Sequence, residues 1–93
     1  MRVLKLDEFS GREGQIYRIE GDEETLELKL IKVKAMPYAD RDGGSFLLHW
    51  MGPKEPQLPR ATYTIRHGDE SYDIFIVPIA AGTDGTCYEA VFN

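Results

Sequence analysis

Cys87, His49 and His67 are the side chains in this sequence best suited to chemistry. A cysteine acts as a nucleophile through its thiolate, which needs a neighbouring base, and either imidazole could supply one. Against that, Cys87 begins a stretch of alternating residues, where a lone cysteine reads as a small, at least half-buried hydrophobe. The two histidines fall on different expected strands with no third ligand at a recognisable metal-binding spacing. Asp40-Arg41-Asp42-Gly43 places carboxylates at alternate positions ahead of a turn-forming glycine, as in a calcium loop, and Ser45 could add a neutral ligand. Phe46 to Met51 then offers no glutamate for the bidentate position, so a solvated loop is expected. The acid run Glu20, Asp22, Glu23, Glu24 and Glu27 crosses a hairpin tip and serves solubility, with binding of a metal or a basic partner as the alternative. There is no glycine-rich phosphate loop, no serine elbow and no cysteine pair. The expectation is a protein without catalytic residues, cofactor or metal, hence no enzyme.

The elements that would have to position such groups are constrained by size and charge. Of 93 residues, 11 are Lys or Arg and 16 are Asp or Glu, for a formal net charge of −5. At 42% hydrophobic and 29% charged, the chain has enough apolar material for one modest core and one domain over residues 1–93. An acidic chain is poorly suited to nucleic acid, because phosphate contacts need a basic surface and Lys29, Lys32 and Lys34 are interleaved with apolar residues. Charges interrupt the apolar residues of Met1 to Asp7, so no signal peptide is read there, and no stretch approaches a membrane span. With a single cysteine no internal disulfide can form. Cytoplasmic synthesis and no membrane association are expected.

Hydrophobic periodicity points to an all-β fold of about six antiparallel strands in a small barrel or sandwich. Leu26, Leu28 and Leu30 alternate with Glu27 and Lys29; then Leu30 and Ile31 are adjacent, and Ile31, Val33 and Ala35 alternate with Lys32 and Lys34. One extra residue in a bulge near position 30 would keep both sets on one face, giving a long bent strand over residues 25–36. Further strands are expected at 15–20, 45–51, 61–67, 70–79 and 86–92. Gly21-Asp22, Gly68-Asp69 and Thr83-Asp84-Gly85 supply the tight corners of three hairpins. Pro53, Pro56 and Pro59 make residues 52–59 an extended crossing loop, since proline cannot join a central ladder. Asp7 to Arg12 could form one helical turn with Asp7 as its cap.

Two strands are apolar on both sides. Phe46, Leu48 and Trp50 face one way and Leu47, His49 and Met51 the other, while Ile74, Phe75, Ile76 and Val77 run without interruption. A sheet with one wet face would alternate. Either these strands are covered twice, by the Pro-rich loop and the N-terminal segment, or one face is buried against another chain; Leu47, His49 and Met51 are then the candidate interaction face. Phe75, in the most apolar strand, is expected in the core.

Phe75-Ile76-Val77-Pro78-Ile79, the terminal Tyr88-Glu89-Ala90-Val91-Phe92-Asn93, Ser45-Phe46-Leu47-Leu48, Gly52-Pro53 and the stretch from Leu58 to His67 together resemble a small bacterial domain-of-unknown-function family. The resemblance covers residues 45 to 93; Phe9, Gly14 and the Leu-rich strand extend it loosely. Members of that family tend to be encoded beside phage tail-collar or microcystin-dependent-type surface proteins. The resemblance therefore implies a non-catalytic accessory module in a phage-tail-like or bacterial surface assembly, with a protein partner or homo-oligomer. The alternative is a small-ligand or carbohydrate-binding β domain, with Trp50, Tyr63 or Tyr72 lining a concave face.

Overall fold

A computed structural model describes residues 4–20, 25–36 and 45–92. Its described strands are β1 (Ile16–Glu20), β2 (Thr25–Ala35), β3 (Phe46–Gly52), β4 (Ala61–His67), β5 (Glu70–Gly82) and β6 (Gly85–Phe92). All pair antiparallel, and the sheet closes on itself in the order β1-β2-β3-β6-β5-β4. The all-β expectation holds, and of its two forms the barrel is the one adopted.

Alternation decides what each strand puts inside. β3 sends Phe46, Leu48 and Trp50 inward, where they are fully buried, and leaves Leu47, His49 and Met51 half-buried on the outside. Tyr17 of β1, Leu28 and Leu30 of β2, Ile65 of β4, Ile74 and Ile76 of β5, and Tyr88 of β6 complete the interior. Burying side chains of this size is worth about 1.5–3 kcal/mol each, so the barrel lumen is a filled core. Trp50 meets Tyr17 edge-on at 5.9 Å.

The phase slip in β2 is a bulge, with Ile31 as its extra residue: Leu30 pairs with Trp50 and Lys32 with His49. Val33 and Ala35 thus keep the inward phase of Leu28 and Leu30, as the pattern requires. Ile31 itself is extruded, at 41% exposure, instead of joining them. Leu30, at the bend, turns to the N-terminal segment: its N–H donates to the Gln15 carbonyl (3.0 Å) and its carbonyl accepts from Gly14 (2.7 Å).

Two turns rest on glycine. Gly68 takes φ +60° between His67 and Glu70, leaving Asp69 at negative φ, as in a hairpin whose first central residue alone is left-handed. Gly85 takes φ +135° at the start of β6, where a Cβ would stand 2.1 Å from the Gly52 carbonyl oxygen. That contact lets β6 lie beside β3. The hairpin tip at 21–24 and the loop at 37–44, which contains Asp40-Arg41-Asp42-Gly43, lie outside the described residues.

Three expectations are corrected. The N-terminal turn is a 3-10 turn at Leu6–Glu8 preceded by Lys5, not a helical turn capped by Asp7; the Lys5 N–H donates to Glu8 Oε2 at 2.8 Å, closing the turn from its third residue. Phe75 is not in the core. It lies between inward-facing Ile74 and Ile76, so the pleat points it outward, at 54% exposure. The N-terminal segment does not lie over a two-sided strand; it plugs the barrel end where β1 begins and β6 finishes. Phe9 is fully buried there, with ring centroids 5.1 Å from Tyr72 and 6.0 Å from Phe46. The Pro-rich segment touches the interior through Leu58, whose N–H donates to the Tyr88 hydroxyl at 2.8 Å.

Candidate functional site

The outer surface of the barrel is built from the outward residues of each strand, and it differs from side to side. On β1 and β4 these are mostly polar, and several are paired. Arg18 lies 3.4 Å from Glu27, Arg66 lies 3.5 Å from Glu20, and Thr64 Oγ1 donates to Asp73 at 2.7 Å. The described ends of the acid run, Glu20 and Glu27, are thus engaged by arginines.

On β3, β6 and the middle of β5 most outward residues are apolar, around the His49–Glu89 pair. Leu47 stands opposite Val91, His49 opposite Glu89, and Met51 opposite Cys87. Glu89 is opposite Val77 on β5, and two residues further along each strand Phe75 and Val91 share the same face. Val91 is 47% exposed, and Ile79, the extra residue of a second bulge between Pro78 and Ala80, is 46% exposed. The sequence-predicted Leu47, His49 and Met51 therefore occupy one face, as half-buried members of it. Its most exposed members, Phe75 and Val91, escaped sequence reasoning. In an apolar run such as 74–77, buried and exposed positions carry the same residue types, and only the phase set by neighbouring strands separates them.

His49 sits at the middle of this face, its Nε2 donating to Glu89 Oε2 at 2.8 Å. The pair is partly shielded, with the two side chains 16% and 32% exposed. Along the far margin, β2 presents Lys29, Lys32 and Lys34 outward, opposite Met51, His49 and Leu47. All three lysines are exposed and none has an ion-pair partner among the described residues.

Cys87 shares the outer face with His49, diagonally across β3 and β6, yet no hydrogen bond joins them and the imidazole is held by Glu89. Burial pushes the Cys87 thiol up, Glu89 adds to this, and Lys32 opposes it. The thiol is thus biased toward its protonated form, the wrong direction for a nucleophile. His67 is stacked on Tyr17 with centroids 4.5 Å apart at the plugged end of the barrel, remote in register from Cys87. Among the described residues, no three His, Cys, Asp or Glu side chains converge as a metal site, and no helix is long and apolar enough to cross a membrane.

The aromatic residues considered for ligand binding are spent elsewhere. Trp50 and Tyr72 are inside the barrel, and Tyr63 is half-buried with its hydroxyl donating to the Pro59 carbonyl at 2.6 Å. A shallow groove between the β1–β2 hairpin and the Pro-rich segment is lined by Arg18, Glu20, Glu27 and Glu55 among others, and its arginine and two of its glutamates are already paired.

Fold and surface together define a small closed β-barrel with a filled lumen, a charged and internally paired side, and an apolar side. The chain belongs to the family described as Domain of unknown function (DUF6916), whose model matches residues 4–92. No curated protein and no solved structure matches it.

Proposed function

We propose that this domain is a non-catalytic interaction module that docks on another protein through the outer face of β3, β6 and β5, as an accessory of a phage-tail-like or bacterial surface assembly. The observation that carries the reading is the exposure of Phe75 and Val91 on one face beside Leu47, Met51 and Val77. Large apolar side chains gathered on adjacent strands of a small acidic domain are costly to leave in water and mark an interaction surface. Closure of the sheet bears on the mode of binding. A closed barrel offers no free edge for strand addition, so side chains of a face, and not a ladder of backbone hydrogen bonds, would make the contact. The kind of assembly comes from the resemblance of residues 45 to 93 and the gene neighbourhood it implies.

The test compares three forms of the chain as baits in the native host: unaltered, Phe75→Ser/Val91→Ser, and Thr64→Ala on the neighbouring strand β4. The expected result is a structural component of an assembly, identified by mass spectrometry, held by the unaltered and Thr64→Ala chains and released by the double variant. Retention by the double variant would overturn the reading. Light scattering over a concentration series covers the case of a second copy as partner, with self-association again lost in the double variant.

A further inference from the structure

We infer that the partner segment seated on this face is acidic along one side, with carboxylates repeating at alternate positions of an extended strand beside aromatic or aliphatic side chains. This rests on the docking reading above and adds the chemistry of the partner. Lys29, Lys32 and Lys34 are not evenly spaced in sequence, but the Ile31 bulge makes them so in space. They stand opposite Met51, His49 and Leu47, alternate residues of β3, so the three lysine positions repeat along the strand at about 6.6 Å. Carboxylates on every second residue of an extended chain repeat at the same distance.

The lysines are also unspent. On the β1–β4 side each arginine has its glutamate, whereas no carboxylate among the described residues pairs with this row. A row of unpaired cations bordering an exposed apolar face selects a partner of matching pattern and fixes its direction along the strand, which is the usual contribution of charge at an interface. The rest of the molecule argues for a short acidic segment over an extended polyanion. A net charge of −5 repels a nucleic acid or an anionic membrane at long range, while a local row acts within a screening length of about 8 Å.

Short random peptides displayed on yeast and selected on the full chain provide the probe. The selected peptides should combine Asp or Glu with aromatic or aliphatic residues. As synthetic peptides they should lose about tenfold or more in affinity for a K29E/K32E/K34E chain, weaken with added salt, and fail to bind a F75S/V91S chain. The five substituted side chains are exposed, and thermal melts establish that each variant is folded; if the double variant is not, F75S alone replaces it. Peptides without acidic excess, or indifferent to the lysine reversal, would overturn this inference and leave the docking reading standing. Peptides indifferent to F75S/V91S would sink the docking reading itself. Tighter binding of phosphatidylserine vesicles or a single-stranded oligonucleotide than of the acidic peptides would also overturn the inference.

Discussion

Phe75 and Phe9 show how little residue type says about energetic role in a small barrel. Phe75 is 54% exposed and Phe9 is fully buried among four aromatic rings. Phe9→Ala should therefore cost about 3–5 kcal/mol, and Phe75→Ser no more than roughly 0.5 kcal/mol; urea titrations of both variants check the contrast. Tyr17 carries a second prediction at this scale. Its hydroxyl is buried with no hydrogen bond of good geometry among the described residues, and the Arg12 guanidinium, which donates to the Tyr72 hydroxyl at 3.4 Å, lies near enough to act on it. Burial raises the Tyr17 phenol above its ordinary range, with Arg12 opposing. A phenol that is harder to ionise when folded lends stability that is present below its unfolded value of about 10 and lost as pH rises through its folded value. Tyr17→Phe should leave neutral-pH stability equal or higher and lose less than the parent above about pH 10, as read from melting temperatures across alkaline pH. Tyr63, raised chiefly by burial, leaves some alkaline loss in the variant.

At the scale of elements, the strands and corners were legible because the sequence marks them physically. Period-two alternation, the Leu30-Ile31 slip and the Gly68-Asp69 corner each have a backbone cause, and each corresponds to a described strand, bulge or turn. What stayed illegible was phase relative to the core. The bulge at Ile79 follows a proline in an apolar run, so no alternation was left to slip, and the outward turn of Phe75 was hidden for the same reason. Of the candidate face, Leu47, His49 and Met51 could be read from β3 alone; Phe75 and Val91 join it only through pairing across strands far apart in sequence. β6, like every strand of the closed sheet, carries ladders on both sides, to β3 and to β5. Removing residues 88–93 strips five of the seven paired positions with β3 and two of the five with β5, and the truncated chain should show no cooperative thermal transition by circular dichroism. Gly85→Ala acts on the same element by steric means. The new Cβ meets the Gly52 carbonyl at a φ that alanine avoids, and the variant should melt well below the parent.

For the molecule as a whole, the seam between β1 and β4 has a consequence for how the cylinder opens. The register joins them at two positions, Ile19 with Ile65 and Arg18 with Arg66, where every other ladder has at least five. One of those two positions sets like charges face to face, an unfavourable juxtaposition that Glu27 and Glu20 relieve from either side. Replacing both glutamates by glutamine should cost global stability only about 1 kcal/mol, but it should hasten deuterium uptake at the amides of residues 18–20 and 65–66 well ahead of those in β3. The wall would then unbutton at its thinnest join, spilling from a tube into a curled ribbon, and the apolar side facing away from that join would be the last part of the protein to come apart.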